Sequence, residues 1–544
     1  MLAIFLAGKT VRLFNAESKR EYLVANWYEL PMLAALAVTI VGAGRWFDRT
    51  DPGQVRHWAI GIYLVVDVTI KFFMVSVRLA AAGRSPTRIL IASFVILIVT
   101  GAGLLSLPKA TPGRASLPIV DALFTATGAT CVTGLVVRDT GTDFTLMGQL
   151  VIITLIQLGG LGIVIFGAVL ALLLGQALGV RESAAMQDLL SEGTLSRINR
   201  MILFIFIATA LIELAGAAAL LPMWDDVPGR TLGIHHRWYC SLFHAVSAFC
   251  NAGFGLFSDN LASYNRCWGV YLVICPMIVL GGLGFGVLYD LSGVGLDRVS
   301  RACKKSFRRP CPIFLEAPKR MRLQTKIVLV VTFSLLAGGA LSLYAFERLT
   351  GQGPGARSFG VFDAFFQSVT ARTAGFNTVD IAGLSDASKL ILILLMFIGG
   401  SPGGTAGGIK TVTLAVVIMA VATTLRRREE VEMFNRSVRL MIVRRAIAVT
   451  VLFILVLFGA TLGLCVTEAS NHFTLMQMFF EVASALGTVG LSTGITPSLT
   501  TAGKIIIVVV MLTGRLGPLT WLVAMTFNLK PARYSYPDEA IVVG

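Results

Sequence analysis

The sequence predicts an all-α membrane protein: two N-terminal transmembrane helices, then four copies of a unit made of helix, short helix, glycine loop and helix around a central axis. Three observations predict it. The 544 residues are 55% hydrophobic and 14% charged, with a mean hydropathy of +0.78, a composition outside the soluble class. Apolar runs of about 20 residues, enough to cross a roughly 30 Å hydrocarbon core, recur near residues 29-47, 58-79, 88-107, 146-175, 202-222, 268-290, 327-346, 388-422, 446-467 and 503-526. Four segments also align without gaps: FTATGATCVTGL from Phe124, FHAVSAFCNAGF from Phe243, FFQSVTARTAGF from Phe365 and FEVASALGTVGL from Phe480.

The N-terminus, MLAIFLAGKTVRLF, lacks a basic lead and a long apolar core, so it reads as retained rather than as a cleaved signal. The net charge of +16 is concentrated in segments. Segment 294-326 holds ten basic residues and 424-445 holds seven arginines, against two basic residues in each of 107-120, 223-240 and 347-360. Basic loops collect on the cytoplasmic side, so both termini are expected there. The charge therefore records orientation and excludes a nucleic-acid footprint. The eight cysteines contain no CxxC pair and read as buried thiols rather than metal or disulfide partners. His235 and His236 read as a loop pair.

Each of the four segments places a Phe ten residues ahead of a glycine: Gly134, Gly253, Gly375 and Gly490. A second glycine element, Gly159-Gly160, Gly281-Gly282, Gly399-Gly400 or Gly514, follows 24 to 28 residues later. A ten-residue helix at 1.5 Å per residue covers about half the hydrocarbon thickness, so the segment must enter and return. Non-helical backbone at that depth survives only inside protein or water. Four such loops can share an axis. Carbonyls turned inward there would offer oxygen ligands to a dehydrated cation, and glycine supplies the positive φ that the turn requires. Each short helix would aim its negative dipole end at the centre. The second glycine element has an alternative reading, close packing of helices through small residues.

The stretch FIGGSPGGTAGGIKT, Phe397 to Thr411, carries six glycines in fifteen residues. It is no phosphate loop, because Ile409 separates Gly408 from Lys410 where Gly-Lys-Ser/Thr must be contiguous. At about 1 kcal/mol per glycine, with Pro402 worse, a continuous helix from Gly399 to Gly408 is implausible. Ser401 and Thr405 could satisfy loop backbone groups. Lys410 could set a charge by a permeation path or snorkel to the interface. Arg515, buried in a span, defaults to a functional or paired position. Asp139, Asp259 and Asp380, five or six residues past three ring glycines, could concentrate cations at an outer mouth or be ordinary loop acids.

These pieces, TCVTGL, FCNAGF, ARTAGFNT, GTVGLS, IQLGGLGI, GGSPGGTAGGIKT, GRLGPLT and YPDEAIVVG, together resemble the Trk/Ktr/HKT superfamily of potassium transporters over about residues 88 to 544. The C-terminal end is more like the Ktr branch, whereas the two spans before residue 88 are a departure from it. The resemblance implies a pore like a tetrameric potassium channel fused into one chain. Its selectivity filter, the K+ site, would be Val132, Thr133, Gly134; Asn251, Ala252, Gly253; Thr373, Ala374, Gly375; and Thr488, Val489, Gly490. Gly134 favours potassium, because sodium-selective plant members carry serine there. The resemblance also makes Gly399, Gly400, Ser401, Gly403, Gly404, Thr405, Gly407, Gly408 and Lys410 an intramembrane gate loop, with Arg515 contacting it. The expected organisation is 1-86, an extension with two transmembrane helices; 87-180, pore repeat 1; 181-300, repeat 2; 301-430, repeat 3 with the gate loop; and 431-544, repeat 4 and the cytoplasmic C-terminus.

By the same resemblance the chain would be a multi-pass protein of the plasma (inner) membrane that takes up potassium. It would work as a homodimer on a cytoplasmic ring of nucleotide-binding regulatory subunits of the KtrA/TrkA kind. It would carry no cofactor of its own and do no enzymatic chemistry, since the spans contain no nucleophile, base or metal cluster. The rival within the family is a sodium-selective or Na+-coupled transporter. A secondary transporter with paired inverted halves fits four same-direction repeats less well.

Overall fold

In the computed structural model the described residues are 86–114, 116–162, 195–225, 234–306, 319–350, 359–428 and 430–525, with Leu33 and Leu36. The expected spans at 29-47 and 58-79, the C-terminal YPDEAIVVG and the end of the 146-175 run lie outside them. The order within each repeat is a long helix, a short helix, a loop and a second helix.

Repeat 1 has α1 (Pro86–Leu105), α2 (Ile119–Thr130) and α3 (Leu146–Leu161). Repeat 2 has α4 (Leu195–Leu220), α5 (Ile234–Phe249), α6 (Cys275–Leu283, entered through a π-helical turn) and α7 (Phe285–Ser306). Repeat 3 has α8 (Leu323–Thr350), α9 (Val361–Thr370), α10 (Asp386–Phe397) and α11 (Thr411–Leu425). A small hairpin, β1 (Val431–Met433) and β2 (Arg436–Val438), precedes repeat 4, which has α12 (Leu440–Thr467), α13 (Leu475–Gly487), α14 (Thr501–Leu516) and α15 (Pro518–Met525). His235 and His236 belong to the first turn of α5 rather than to a loop.

Local sequence sets these boundaries. Thr145, Ser385 and Thr500 each cap a second helix by accepting the backbone N–H three residues on, and a Thr474/Gln477 capping box starts α13. Such caps satisfy amides that otherwise have no helical partner. Among the described residues Arg200–Trp224, Leu323–Thr350 and Leu440–Thr467 are long and apolar enough to cross a membrane unbroken. Their outward side chains, among them Leu211, Phe333, Leu341 and Leu455, are exposed, as a lipid-facing surface requires.

Two expected spans are not continuous. The 268-290 run bends by 102° between α6 and α7, and the 503-526 run bends by 92° between α14 and α15. The hinges are Gly284 (φ 86°) and Gly517 (φ 84°), and α3 ends at Gly162 with φ 85°. A left-handed residue cannot continue a right-handed helix, and glycine adopts it without steric cost.

Packing closes the four repeats into a circle. Each first helix lies on its own short helix, and each second helix crosses to the short helix of the next repeat: α3 on α5, α6 on α9, α10 on α13, and α14 back on α2. The last seam is also tied by Lys504 Nζ, 2.8 Å from Asp121 Oδ1, while Arg138 Nε lies 3.0 Å from Asp121 Oδ2. Cys131, Cys240, Cys250, Cys267, Cys275 and Cys465 are free thiols, all buried but the last.

Candidate functional site

The four short helices end at one place. In every repeat the residue two before the ring glycine has a positive φ, 57° at Val132, 59° at Asn251, 73° at Thr373 and 51° at Thr488. The glycines follow at 84° (Gly134), 70° (Gly253), 79° (Gly375) and 94° (Gly490). A left-handed non-glycine is uncommon, and four at one register mark a backbone conformation held by its surroundings.

The glycines are neighbours in chain order. A methyl carbon built on Gly134 would lie 3.2 Å from Gly253 Cα, one on Gly253 2.9 Å from Gly375 Cα, one on Gly375 3.2 Å from Gly490 Cα, and one on Gly490 3.0 Å from Gly134 Cα. Each would also collide with the carbonyl oxygen just before the next glycine: Ala252, Ala374, Val489 and Thr133 in turn. Val132, Thr133, Asn251, Ala252, Thr373, Ala374, Thr488 and Val489 are all buried. The twelve residues singled out in the sequence thus form one closed ring.

The ring is not perfectly fourfold. In repeats 1, 2 and 4 the N–H of the residue before the glycine donates to the carbonyl five residues back, Thr133 to Gly128, Ala252 to Ser247 and Val489 to Ser484. In repeat 3 Ala374 donates four back, to Thr370, at 2.9 Å. This one-residue change of phase explains why Phe124, Phe243 and Phe480 are fully buried while Phe365 is 40% exposed and Phe366 takes the core position.

Beneath the ring the second helix of repeat 3 stops at Phe397 and resumes at Thr411. The loop between folds back on itself, with Gly399 N–H donating to Ile409 O at 2.9 Å and Thr411 N–H to Gly400 O at 3.1 Å. Gly403 and Gly408 hold φ of 71° and 65°. Repeat 2 supplies much of its remaining satisfaction. Ser401 N–H donates to Gly282 O at 2.9 Å, Thr405 N–H to Gly281 O at 3.3 Å, and Phe285 N–H to Gly403 O at 3.0 Å, while Gly404 N–H donates to Ser401 O within the loop at 3.2 Å. The hydroxyls do not serve the loop backbone as expected: Ser401 Oγ pairs with Thr411 Oγ1 at 3.2 Å, and Thr405 Oγ1 donates to Phe249 O at 3.3 Å. Gly407 N–H donates to Thr488 Oγ1 of the ring at 3.1 Å. Lys410 turns inward on the loop, its Nζ 2.7 Å from Ala406 O.

Two arginines clasp this loop. Arg515 donates to Thr405 O, Gly159 O and, at 3.2 Å, Gly160 O, joining the loop to repeat 1. It occupies the position held by Gly160, Gly282 and Gly400 in the other repeats. Arg372 Nη2 donates to Gly399 O at 3.2 Å and is buried. Sequence reasoning missed Arg372, although ARTAGF puts an arginine three before the ring glycine, where Cys131, Cys250 and Gly487 stand. Gly159, Gly281 and Gly514 fit the packing reading: a methyl on each would strike Thr130 O, Phe249 O or Leu486 O near the end of its own short helix.

On the other side the ring opens to a cavity of about 330 Å³ lined by all four glycines and by Asp139, Asn260, Asn377 and Ser492. Asp139 Oδ1 accepts from Gly141 N at 2.7 Å, Asp259 Oδ2 from Ser263 N at 3.2 Å and Asp380 Oδ1 from Ala382 N at 3.0 Å. All three acids thus shape their own turns, and of them Asp139 lines the cavity.

Four repeats closed into a circle, with interrupted helices whose free backbone groups are satisfied only inside it, define an all-α, multi-pass membrane transporter. The chain belongs to the TrkH cation transport protein family, whose pattern matches residues 62–535. It is 37% identical over 465 residues to the Ktr system potassium uptake protein B of Bacillus subtilis, covering 85% of this chain and 97% of that one. Identity to the protein of the same name from Vibrio alginolyticus is 37% over 466 residues, with 85% and 96% covered. To the potassium/sodium uptake protein NtpJ of Enterococcus hirae it is 35% over 473 residues, with 85% and 97% covered. The crystal structure of the potassium transporter TrkH from Vibrio parahaemolyticus shares the fold, with a TM-score of 0.62 over 93% of this chain and 97% of that one at 19% identity.

Proposed function

We propose that the chain is a potassium-uptake subunit in which K+ exchanges its water for oxygen ligands from Val132–Gly134, Asn251–Gly253, Thr373–Gly375 and Thr488–Gly490. The ring of paired left-handed residues carries this reading. Such alternation turns backbone oxygens towards a common axis as a cation filter does, and the C-terminal ends of α2, α5, α9 and α13 add the negative ends of four helix dipoles. Entry is favoured by about 2.3 kcal/mol per 100 mV of inside-negative potential.

The loop from Ile398 to Lys410 is the gate. Its bonds to Gly281, Gly282, Thr488 and Arg515 hold it beneath the ring, and admission of the ion requires their exchange for others. The basic segments 294-326 and 424-445 support an orientation with that side, and both termini, in the cytoplasm. By analogy with the family, the protein works in the plasma membrane as a dimer on a ring of nucleotide-binding regulatory subunits that dock on these loops.

Rubidium uptake into potassium-starved cells lacking their own uptake systems tests the reading. Wild type supports uptake that potassium competes away, and Gly134→Ser shifts the preference towards sodium. A wild-type chain that carries no rubidium with any regulatory partner sinks the assignment. The second reading, a pore that also admits sodium, is favoured by one relative's name, potassium/sodium uptake protein; sodium competing with rubidium at equal concentration would support it.

A further inference from the structure

Nine residues before the ring glycines stand Thr125, His244, Phe366 and Glu481. All four are buried on their short helices, yet they do different things. Glu481 Oε1 accepts from Ser492 Oγ at 2.6 Å, Thr493 N at 2.9 Å and Thr493 Oγ1 at 3.3 Å, and its Oε2 accepts from Thr496 Oγ1 at 2.8 Å. All these bonds fall on one five-residue stretch leaving the ring. His244 Nδ1 lies 2.8 Å from Cys240 O, which places its hydrogen there and leaves Nε2 to accept from Leu256 N at 3.5 Å. Leu256 and Thr493 are equivalent, each the third residue after its glycine. Repeats 2 and 4 therefore pin the same outer amide by a buried side chain, and the neighbour order of the glycines sets these two repeats opposite each other.

The other diagonal lacks this device. Thr125 Oγ1 returns to Asp121 O of its own helix at 2.9 Å, Phe366 offers no polar atom, and Gln367, which the one-residue shift of repeat 3 brings to this place, is buried with no hydrogen bond from its side chain among the described residues. Those repeats hold their outer loops elsewhere, through Arg138 on Asp121 and through Thr370 Oγ1 on Phe376 O at 2.6 Å. A carboxyl buried at membrane depth is costly and by default functional. Glu481 is fully buried, and Gly490 N–H is further fixed by Ser484 Oγ at 3.0 Å.

We propose that Glu481, with His244 as a weaker counterpart, is a positioning residue for ion discrimination. It fixes Ser492 to Thr496 and so the backbone at Gly490, making repeats 2 and 4 the rigid diagonal of the ring. The proposal rests on the reading of the ring as the ion-selecting site.

The test is the ratio of rubidium to sodium uptake by the full chain in cells lacking their own potassium uptake. Glu481→Leu lowers the ratio by about tenfold, the scale set by losing buried bonds to one acceptor, while sodium uptake persists and reports a folded protein. Glu481→Gln keeps the ratio within about twofold, because the carboxamide oxygen still accepts Thr493 N–H and its NH2 donates to the Thr496 hydroxyl. His244→Leu lowers it less than Glu481→Leu. The pair Ser492→Ala with Thr496→Val removes bonds from the loop side and lowers the ratio even if Glu481→Leu does not fold. Wild-type discrimination in either Glu481→Leu or the loop pair overturns the proposal, as does a Gln variant as impaired as Leu. A failure of the ring reading itself is distinct, since it appears as a wild type without rubidium uptake.

Discussion

The ring and the layer beneath it are built from the same four repeats and obey different rules. At the ring, four sequences that agree in full only at the glycine, CVTG, CNAG, RTAG and GTVG, are left-handed at the same two residues, the second and fourth of each. One layer down, the repeats diverge. Repeats 2 and 4 break at a single glycine three residues past the first of the lower element, at Gly284 and Gly517, and the repeat 1 helix ends at the matching Gly162, whereas repeat 3 opens into a long folded loop. On the proposed reading an ion on the axis draws on all four repeats, so each keeps its pair of left-handed residues and repeat 3's shift is absorbed in the helix before them. A gate, if the loop is one as proposed, needs one occupant, and a single repeat supplies it.

The comparison breaks most severely if a ring glycine can be replaced. Gly253→Ala forces a left-handed conformation costing about 1–2 kcal/mol and drives a methyl into Ala374 O of the next repeat. Rubidium uptake should fall at least about tenfold, equivalent to ~1.4 kcal/mol at the barrier; near-normal uptake with unchanged selectivity would remove the equal-subsite argument. The layer beneath should respond in the opposite direction. Arg515→Gln surrenders charge-assisted bonds to Thr405, Gly159 and Gly160, each worth about 1.5–3 kcal/mol, and so loosens the folded loop of repeat 3. In proteoliposomes without a regulatory partner, rubidium leak should rise several-fold, and a leak equal to wild type would show that Arg515 does not hold the loop shut.

Arg372 sharpens the boundary between the layers, because it sits beside the ring and reaches down to Gly399 O. Arg372→Met leaves that carbonyl orphaned where the helix has just ended, a loss of about 1–3 kcal/mol. A lower melting temperature in detergent is expected, together with a smaller leak than Arg515→Gln gives.

What could be read in advance follows the same division. The spans and the ring glycines were legible because composition and a four-times-repeated spacing report them directly. The interruption at Gly399 to Gly408 was legible because no helix tolerates that run. The hinges at Gly284 and Gly517 and the helix end at Gly162 were not, because a lone glycine in a membrane helix usually just allows close packing; the repeated LGGLG and the GRLG ending in them held the missing signal. The phase shift at Phe366 hides behind a perfect ungapped alignment, since one hydrogen bond made four rather than five residues back leaves the spacing unchanged. Glu481 and Arg372 stood inside motifs whose glycines drew the attention, and nothing in a linear sequence says which loop a buried side chain will reach.

The smallest expected effects separate a hinge from an ordinary helical glycine. At Gly284, with φ of 86°, an added methyl would lie 2.7 Å from Pro402 O, so Gly284→Ala strains the repeat 2 hinge by about 1–2 kcal/mol and presses on the folded loop of repeat 3. A modest fall in melting temperature with a measurable change in leak should follow. Gly338, inside α8, has open space where its methyl would stand, and alanine in a helix interior is better than glycine by roughly 0.5–1 kcal/mol. Gly338→Ala should therefore leave uptake and leak unchanged and melt no lower than wild type. If the two variants behave alike, the bends in repeats 2 and 4 are incidental to the gate, and the lower layer reduces to the loop of repeat 3 alone.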